Sequence, residues 1–163
     1  MSTALNTRFI GQQLIELPTV GSTNNYAAEH LALSELRHGA VILAHEQTEG
    51  RGQRDREWIS AGQLDLTFSM VLLPKKLKAT GQWVLGRLSA LAVHDVVHAL
   101  QPADVKVKWP NDILVGQRKV AGILIKNEVA GSMIVSSIIG IGRCASAAIT
   151  ARAGSDVGLQ SVL

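Results

Sequence analysis

Residues 64–72 read Leu-Asp-Leu-Thr-Phe-Ser-Met-Val-Leu, with apolar and polar side chains in near-strict alternation. A period of two sends successive side chains to opposite sides of a pleated ribbon, which predicts a strand with one buried face, ended by Pro74. Residues 80–100 carry the helical period instead. Leu85, Leu88, Ala92, Val96 and Ala99 fall on one apolar stripe of what is predicted to be the longest helix. Residues 8–17 contain Phe9, Ile10, Leu14, Ile15 and Leu17, are broken by Gly11 and closed by Pro18, and read as a strand. Ser22 is placed as the N-cap of a helix through Tyr26, Ala27, His30, Leu31 and Leu36 that stops before Gly39. Residues 40–44 are a short apolar run suited to a buried strand. Val105-Lys106-Val107-Lys108 reads as a strand that Trp109-Pro110 turns sharply, and another strand runs from Lys119 to Ile125. Gly116 between them marks a hairpin, which would bring Asn111, Asp112 and Lys119 close together. Residues 133–142 form the last predicted strand.

Composition narrows the class of protein. A chain of 163 residues, 47% of them apolar, suits one domain that buries about two-thirds of its unfolded surface. Its net charge of +3 favours an anionic ligand or acidic partner but falls short of a dedicated nucleic-acid binder. Cys144 is the single cysteine, so no internal disulfide framework exists, and residues 1–9 lack the basic-then-apolar pattern of a secretory signal. The expected compartment is the cytoplasm. No apolar run reaches the roughly 18 to 20 residues of a membrane span, since residues 133–141 are interrupted by Ser136, Ser137 and Gly140.

The candidate chemistry centres on Gln47-Thr48-Glu49-Gly50-Arg51-Gly52-Gln53-Arg54-Asp55-Arg56-Glu57-Trp58. Glycines let the backbone approach a ligand, and guanidinium groups offer forked donors that match phosphate or carboxylate oxygens. With almost no apolar side chain to bury, such a loop is expected to order on its ligand. Ser22-Thr23-Asn24 is accounted for by a helix cap, and it also presents hydroxyls, an amide and free N–H groups to a polar ligand. Lys75, Lys76 and Lys78 read as a solvated turn. His94 and His98 have the i, i+4 spacing of a metal pair, but they lie off the apolar stripe with no third ligand evident and read as surface.

Taken together, Gly21-Ser22-Thr23-Asn24, Gln47 with Gly50-Arg51-Gly52 and Arg56-Glu57-Trp58, Lys108-Trp109-Pro110-Asn111-Asp112, Lys119-Val120-Ala121-Gly122-Ile123-Leu124 and Gly140-Ile141-Gly142 resemble the biotin protein ligase family, in the family's order and spacing. The resemblance implies an α+β fold, a mixed β-sheet flanked by helices related to class II aminoacyl-tRNA synthetases. It implies a two-step reaction in which biotin and ATP with Mg2+ form biotinoyl-AMP, and a lysine of a biotin carboxyl carrier protein domain then attacks the mixed anhydride. On the same basis Ser22, Thr23, Asn24, Gln47, Gly50, Arg51, Gly52, Gln53, Lys119 and Gly122 would hold biotin. Arg54 or Arg56 would meet the phosphates, Trp58 would cover the adenine, and Asn111 and Asp112 would lie by the nucleotide and its Mg2+. Lys119 and Arg51 would be the catalytic cations, and a homodimer is left open.

The departures bear on activity. Asp55 stands where the family usually has glycine, Lys126 where it has glutamate, and Arg143-Cys144 where it has an apolar residue and asparagine. Residues 1–142 are therefore read as the catalytic domain without a DNA-binding N-terminal domain, and residues 143–163 as a divergent tail, loosely held from Ala145 on, with no recognisable C-terminal β-barrel. The resulting alternatives are an active biotin ligase and a truncated, non-catalytic remnant that keeps the fold and biotin affinity; lipoate or octanoyl transfer fits the motifs less well.

Overall fold

The computed structural model describes residues 7–53, 58, 65–100 and 104–144. Among the described residues seven strands and two α-helices are formed: β1 (Leu14–Val20), α1 (Thr23–Ala32), β2 (Val41–Gln47), β3 (Asp65–Leu72), α2 (Trp83–Leu100), β4 (Val105–Lys108), β5 (Asp112–Val115), β6 (Arg118–Ala130) and β7 (Met133–Cys144). The strands make one sheet in the order β1-β2-β3-β7-β6-β5-β4. Only β1 and β2 pair in parallel, joined by the α1 crossover, and the other neighbours are antiparallel. The mixed sheet with flanking helices is the α+β fold that the motifs imply.

The helices cover opposite faces of this sheet. Ala27 of α1 packs with Ala40, Ile42, Val71 and Ile138, while Ala90 and Val97 of α2 pack with Ile113, Ala121, Ile123, Ile139 and Ile141. Adjacent residues Ile138 and Ile139 thus belong to different cores, as strand alternation requires. This double cover corrects the expectation for β3. The strand alternates as predicted, but its more deeply buried set is Thr67, Ser69 and Val71, because α1 lies over that side.

Three other expectations shift. β1 begins at Leu14 rather than residue 8 and runs through Pro18 to Val20; its register with β2 passes from Leu17↔Ala44 to Thr19↔Glu46. Proline is tolerated there because β1 is the sheet's edge strand, where a missing N–H donor is least costly. α1 ends at Ala32, well before Gly39, where Ser34 takes a left-handed φ of 60°. In α2 the buried side chains are Leu85, Ser89, Ala90 and Val97, whereas Leu88 and Val96 of the expected stripe are 60% and 57% exposed. Small side chains let the helix lie close to the sheet, and Ser89 satisfies its hydroxyl on Leu85 O at 2.7 Å. β7 extends two residues past Gly142, with Arg143 opposite both Leu66 and Ala121. The expected loose tail, residues 145–163, lies outside the described residues.

Candidate functional site

The α1 face of the sheet carries the candidate site. Ser22 occupies the N-cap position, with extended backbone and its carbonyl accepting Tyr26 N–H at 2.9 Å, but its hydroxyl makes no capping bond. The first helical residues point onto the sheet. Gln47 Oε1 accepts from both Thr23 N–H (2.7 Å) and the Thr23 hydroxyl (2.9 Å). Ser69 Oγ lies 2.7 Å from both Thr23 Oγ1 and Asn24 Oδ1, so its single proton can serve only one of them. Asn24 Nδ2 donates to Leu124 O at 3.2 Å. The Asn24 amide is thereby occupied on both sides and clamps α1 to the sheet. A Cβ on Gly140 would come within 2.5 Å of Asn24 Oδ1, which accounts for glycine there.

One register row crosses the sheet beside this cluster. Thr67 of β3 pairs with Gly142 of β7, Gly142 with Gly122 of β6, and Gly122 with Asp112 of β5. Three interstrand steps of about 4.8 Å make the row about 14 Å long. The Trp58 ring lies across its middle: a Cβ on Gly142 would fall 2.4 Å from Cε2 and Cζ2, and one on Gly122 would fall 3.0 Å from Cζ3. Gly50 supports the indole from the loop side, its carbonyl accepting Trp58 N–H at 2.9 Å. A Cβ there would strike Trp58 O at 2.2 Å. The result is a slot with a glycine floor, filled along its middle by the indole.

Lys119 closes the far end. Its Nζ stands 2.8 Å from Asp112 Oδ1 and 5.4 Å from the centre of the Trp58 ring, and 3.2 Å from where a Gly122 Cβ would be. The contact with Asp112 is an ion pair rather than an aligned hydrogen bond, since Asp112 Oδ1 is buried with no hydrogen-bond partner. With 43% of the Lys119 side chain exposed, solvent screens this pair, and the ammonium is free to turn to a ligand anion at small cost. Asn111, by contrast, is committed to β6, donating to Ile123 O at 3.1 Å.

The expected residues thus separate into groups. Thr23, Gln47, Gly50, Trp58, Asp112, Gly122 and Lys119 converge on one slot, with Ser22 and Asn24 at the head of α1 beside it. Trp58 lies on the glycine floor, over Gly142 and Gly122 and beside Lys119. Arg51 and Gln53 are exposed at the rim with Gly52 half-buried between them. Arg54 and Arg56 lie outside the described residues. Sequence reasoning passed over Thr67 and Ser69 as site residues. Their signal was the polar half of the alternation in β3, which faces Gly140 and Gly142 on the neighbouring strand. His94 and His98 stack at 6.0 Å on α2, on the opposite side of the sheet.

Among the described residues no helix is long and apolar enough to cross a membrane. Residues 17–143 match the biotin/lipoate A/B protein ligase family. The chain is 37% identical over 139 residues to a bifunctional ligase/repressor BirA of Bacillus spizizenii, covering 85% of this chain and 42% of that protein. It is 40% identical over 124 residues to a biotin–[acetyl-CoA-carboxylase] ligase of Paracoccus denitrificans, covering 74% and 50%. Among solved structures, the biotin protein ligase of Aquifex aeolicus in complex with biotin and ATP superposes with a TM-score of 0.65 at 30% identity, over 80% of this chain and 51% of that one. The Leishmania major enzyme in complex with biotinyl-5-AMP gives 0.66 at 28% identity, over 80% and 56%. The chain spans about half the length of the curated relatives it matches. With the match extending over the strands and loops that build the slot, the chain belongs to the biotin/lipoate A/B protein ligase family.

Proposed function

We propose that the slot binds biotin and the α-phosphate of ATP, and that the chain carries the chemistry of an ATP-dependent biotin ligase in the cytoplasm. The observation that carries this reading is the continuity of the slot, from the Thr23–Gln47–Ser69 hydrogen-bonding cluster, along the glycine floor beside Trp58, to Lys119. A ureido head is a planar set of N–H donors and one carbonyl. Thr23, Gln47 and Ser22 offer the mixed hydroxyl and amide groups that match it, as neutral hydrogen-bonding groups must when they leave water. The bicyclic body and valeryl chain would take the place over Gly142 and Gly122 that the indole fills in this structure, with Trp58 turning aside to become a wall against them.

The carboxylate would then reach Lys119. Carboxylate attack on a phosphate joins two anions, so the barrier falls when a fixed cation meets the charge as it develops. Lys119 supports both half-reactions in this reading: it draws the biotin carboxylate and ATP α-phosphate together as pyrophosphate leaves, and steadies the acyl phosphate as the carrier lysine attacks. Arg51, with Arg54 or Arg56, would close over the phosphates, and Gly52 and Gln53 would shape that lid. ATP enters as its magnesium salt. Asp112 Oδ1, ion-paired with Lys119 and making no aligned hydrogen bond, would be a ligand to that ion, with Asn111 positioning the strand end beside it.

A homodimer belongs to the same reading. The pairing of β5 with β6 stops at Gly122, and no described strand lies outside β6 beyond it. Sedimentation with biotin and ATP reads this directly; a species of single-chain mass at micromolar concentration would refute the dimer.

The test of function is the purified chain with biotin, ATP-Mg2+ and a biotin carboxyl carrier domain, scored separately for pyrophosphate and for biotinylated carrier. Both products are expected. Biotin binding without pyrophosphate would favour the non-catalytic remnant, and an absence of binding would overturn the reading.

A further inference from the structure

Thr67 has a buried hydroxyl that no described residue uses. The residue is 4% exposed, and its Oγ1 has no hydrogen-bond partner among the described residues. Its direction is fixed by strand alternation: Ser69, two residues along, turns to Thr23 and Asn24 of α1, so Thr67 faces the same side. There it is the cross-strand partner of Gly142, over which the indole lies. Trp58 Nε1 is 2.8 Å from where a Gly142 Cβ would be, and it too is buried without a partner among the described residues. Two unpartnered donors therefore flank one glycine in the middle of the slot. A buried, unsatisfied hydroxyl is a standing cost to the fold, so an acceptor supplied by the ligand would relieve it.

The chemistry of that acceptor follows from position. In the binding direction proposed above, the ureido ring lies at Thr23 and Gln47 and the carboxylate at Lys119, which puts the sulfur-containing ring over Gly142 once it has displaced the indole and uncovered the Thr67 hydroxyl. The only heteroatom in that part of biotin is its thioether sulfur, a weak acceptor. We infer that Thr67 is a specificity-determining residue whose hydroxyl donates to the biotin sulfur, so that this site distinguishes a thioether from a methylene at that position. The inference rests on the proposed biotin reading.

The experiment measures dissociation constants for biotin and for carbobiotin, in which methylene replaces sulfur, in the parent chain, Thr67→Val and Thr67→Ser. The parent is expected to prefer biotin by about three- to tenfold, the effect of one modest hydrogen bond. Thr67→Val should bring that ratio close to one while leaving carbobiotin affinity nearly unchanged, and Thr67→Ser should keep the preference. Because valine has the same shape and removes an unsatisfied polar atom, Thr67→Val should also raise the melting temperature of the free protein by about 2–4 °C. Equal affinity of the parent for both ligands, or equal weakening of both by Thr67→Val, would overturn the inference and leave the biotin reading intact. Failure of the parent to bind either ligand would overturn both.

Discussion

Trp58 lies so close above Gly142 that a single added methyl group on the glycine would occupy space already held by Cε2 and Cζ2, at 2.4 Å. The contact joins a loop to the centre of the sheet and fills the middle of the candidate site. Gly142→Ala must therefore lift the indole or distort β7. Biotin affinity is expected to fall at least about tenfold, on the scale of overpacking a tightly filled site. Calorimetric titration measures it, and unchanged affinity would mean that the slot is not where biotin binds. Tryptophan emission offers a second readout, since Trp83 and Trp109 are already exposed and a red shift on mutation would report Trp58.

Lys119 is the cation at the end of the slot. Lys119→Ala is expected to slow adenylate formation by about a hundredfold or more with little change in folding, since 43% of its side chain is exposed and solvent screens its pair with Asp112. Lys119→Arg should not restore the rate, because a broad planar guanidinium cannot stand where the ammonium fits between Trp58 and Gly122. Rapid-quench measurement of pyrophosphate decides both, and an Ala variant as fast as the parent would remove Lys119 from the mechanism.

Ser69 joins α1 to the sheet through Thr23 and Asn24 and is fully buried. Ser69→Ala leaves those partners short of a hydrogen bond, and a stability loss of about 1–3 kcal/mol is expected in urea unfolding. Biotin affinity should fall as well, since Thr23 loses its fixed orientation. A variant as stable as the parent would show that the cluster does not anchor the helix.

The outward stripe of α2 provides a test of the packing. Leu88→Lys and Val96→Lys, both on the exposed side, should each change stability by no more than about 0.5 kcal/mol. Val97→Ala, beneath the helix, removes buried methyl groups and should cost about 1–3 kcal/mol. The opposite ranking would mean that the helix is rotated from its position here.

Much of this protein is written in local pattern. The period of two in residues 64–72, the helical period in residues 83–100 and the turn at Gly116 follow from side-chain direction and glycine's freedom at φ 60°, which act over a few neighbouring residues. The nearness of Asp112 and Lys119 was also legible, because a short hairpin constrains both ends. The motif blocks around Ser22, Gln47, Asp112, Lys119 and Gly142 marked most of the residues that line the slot. Only the tertiary structure decided which face of each element is covered. A period of two says that the sides of β3 differ, and α1, placed by its own packing, determines that the polar side with Thr67 and Ser69 is buried. In α2 the larger side chains made the more visible stripe, yet close approach to a sheet selects small ones. The meeting of Thr67, Gly142 and Trp58 depends on register between strands far apart in sequence, and no local periodicity encodes that register.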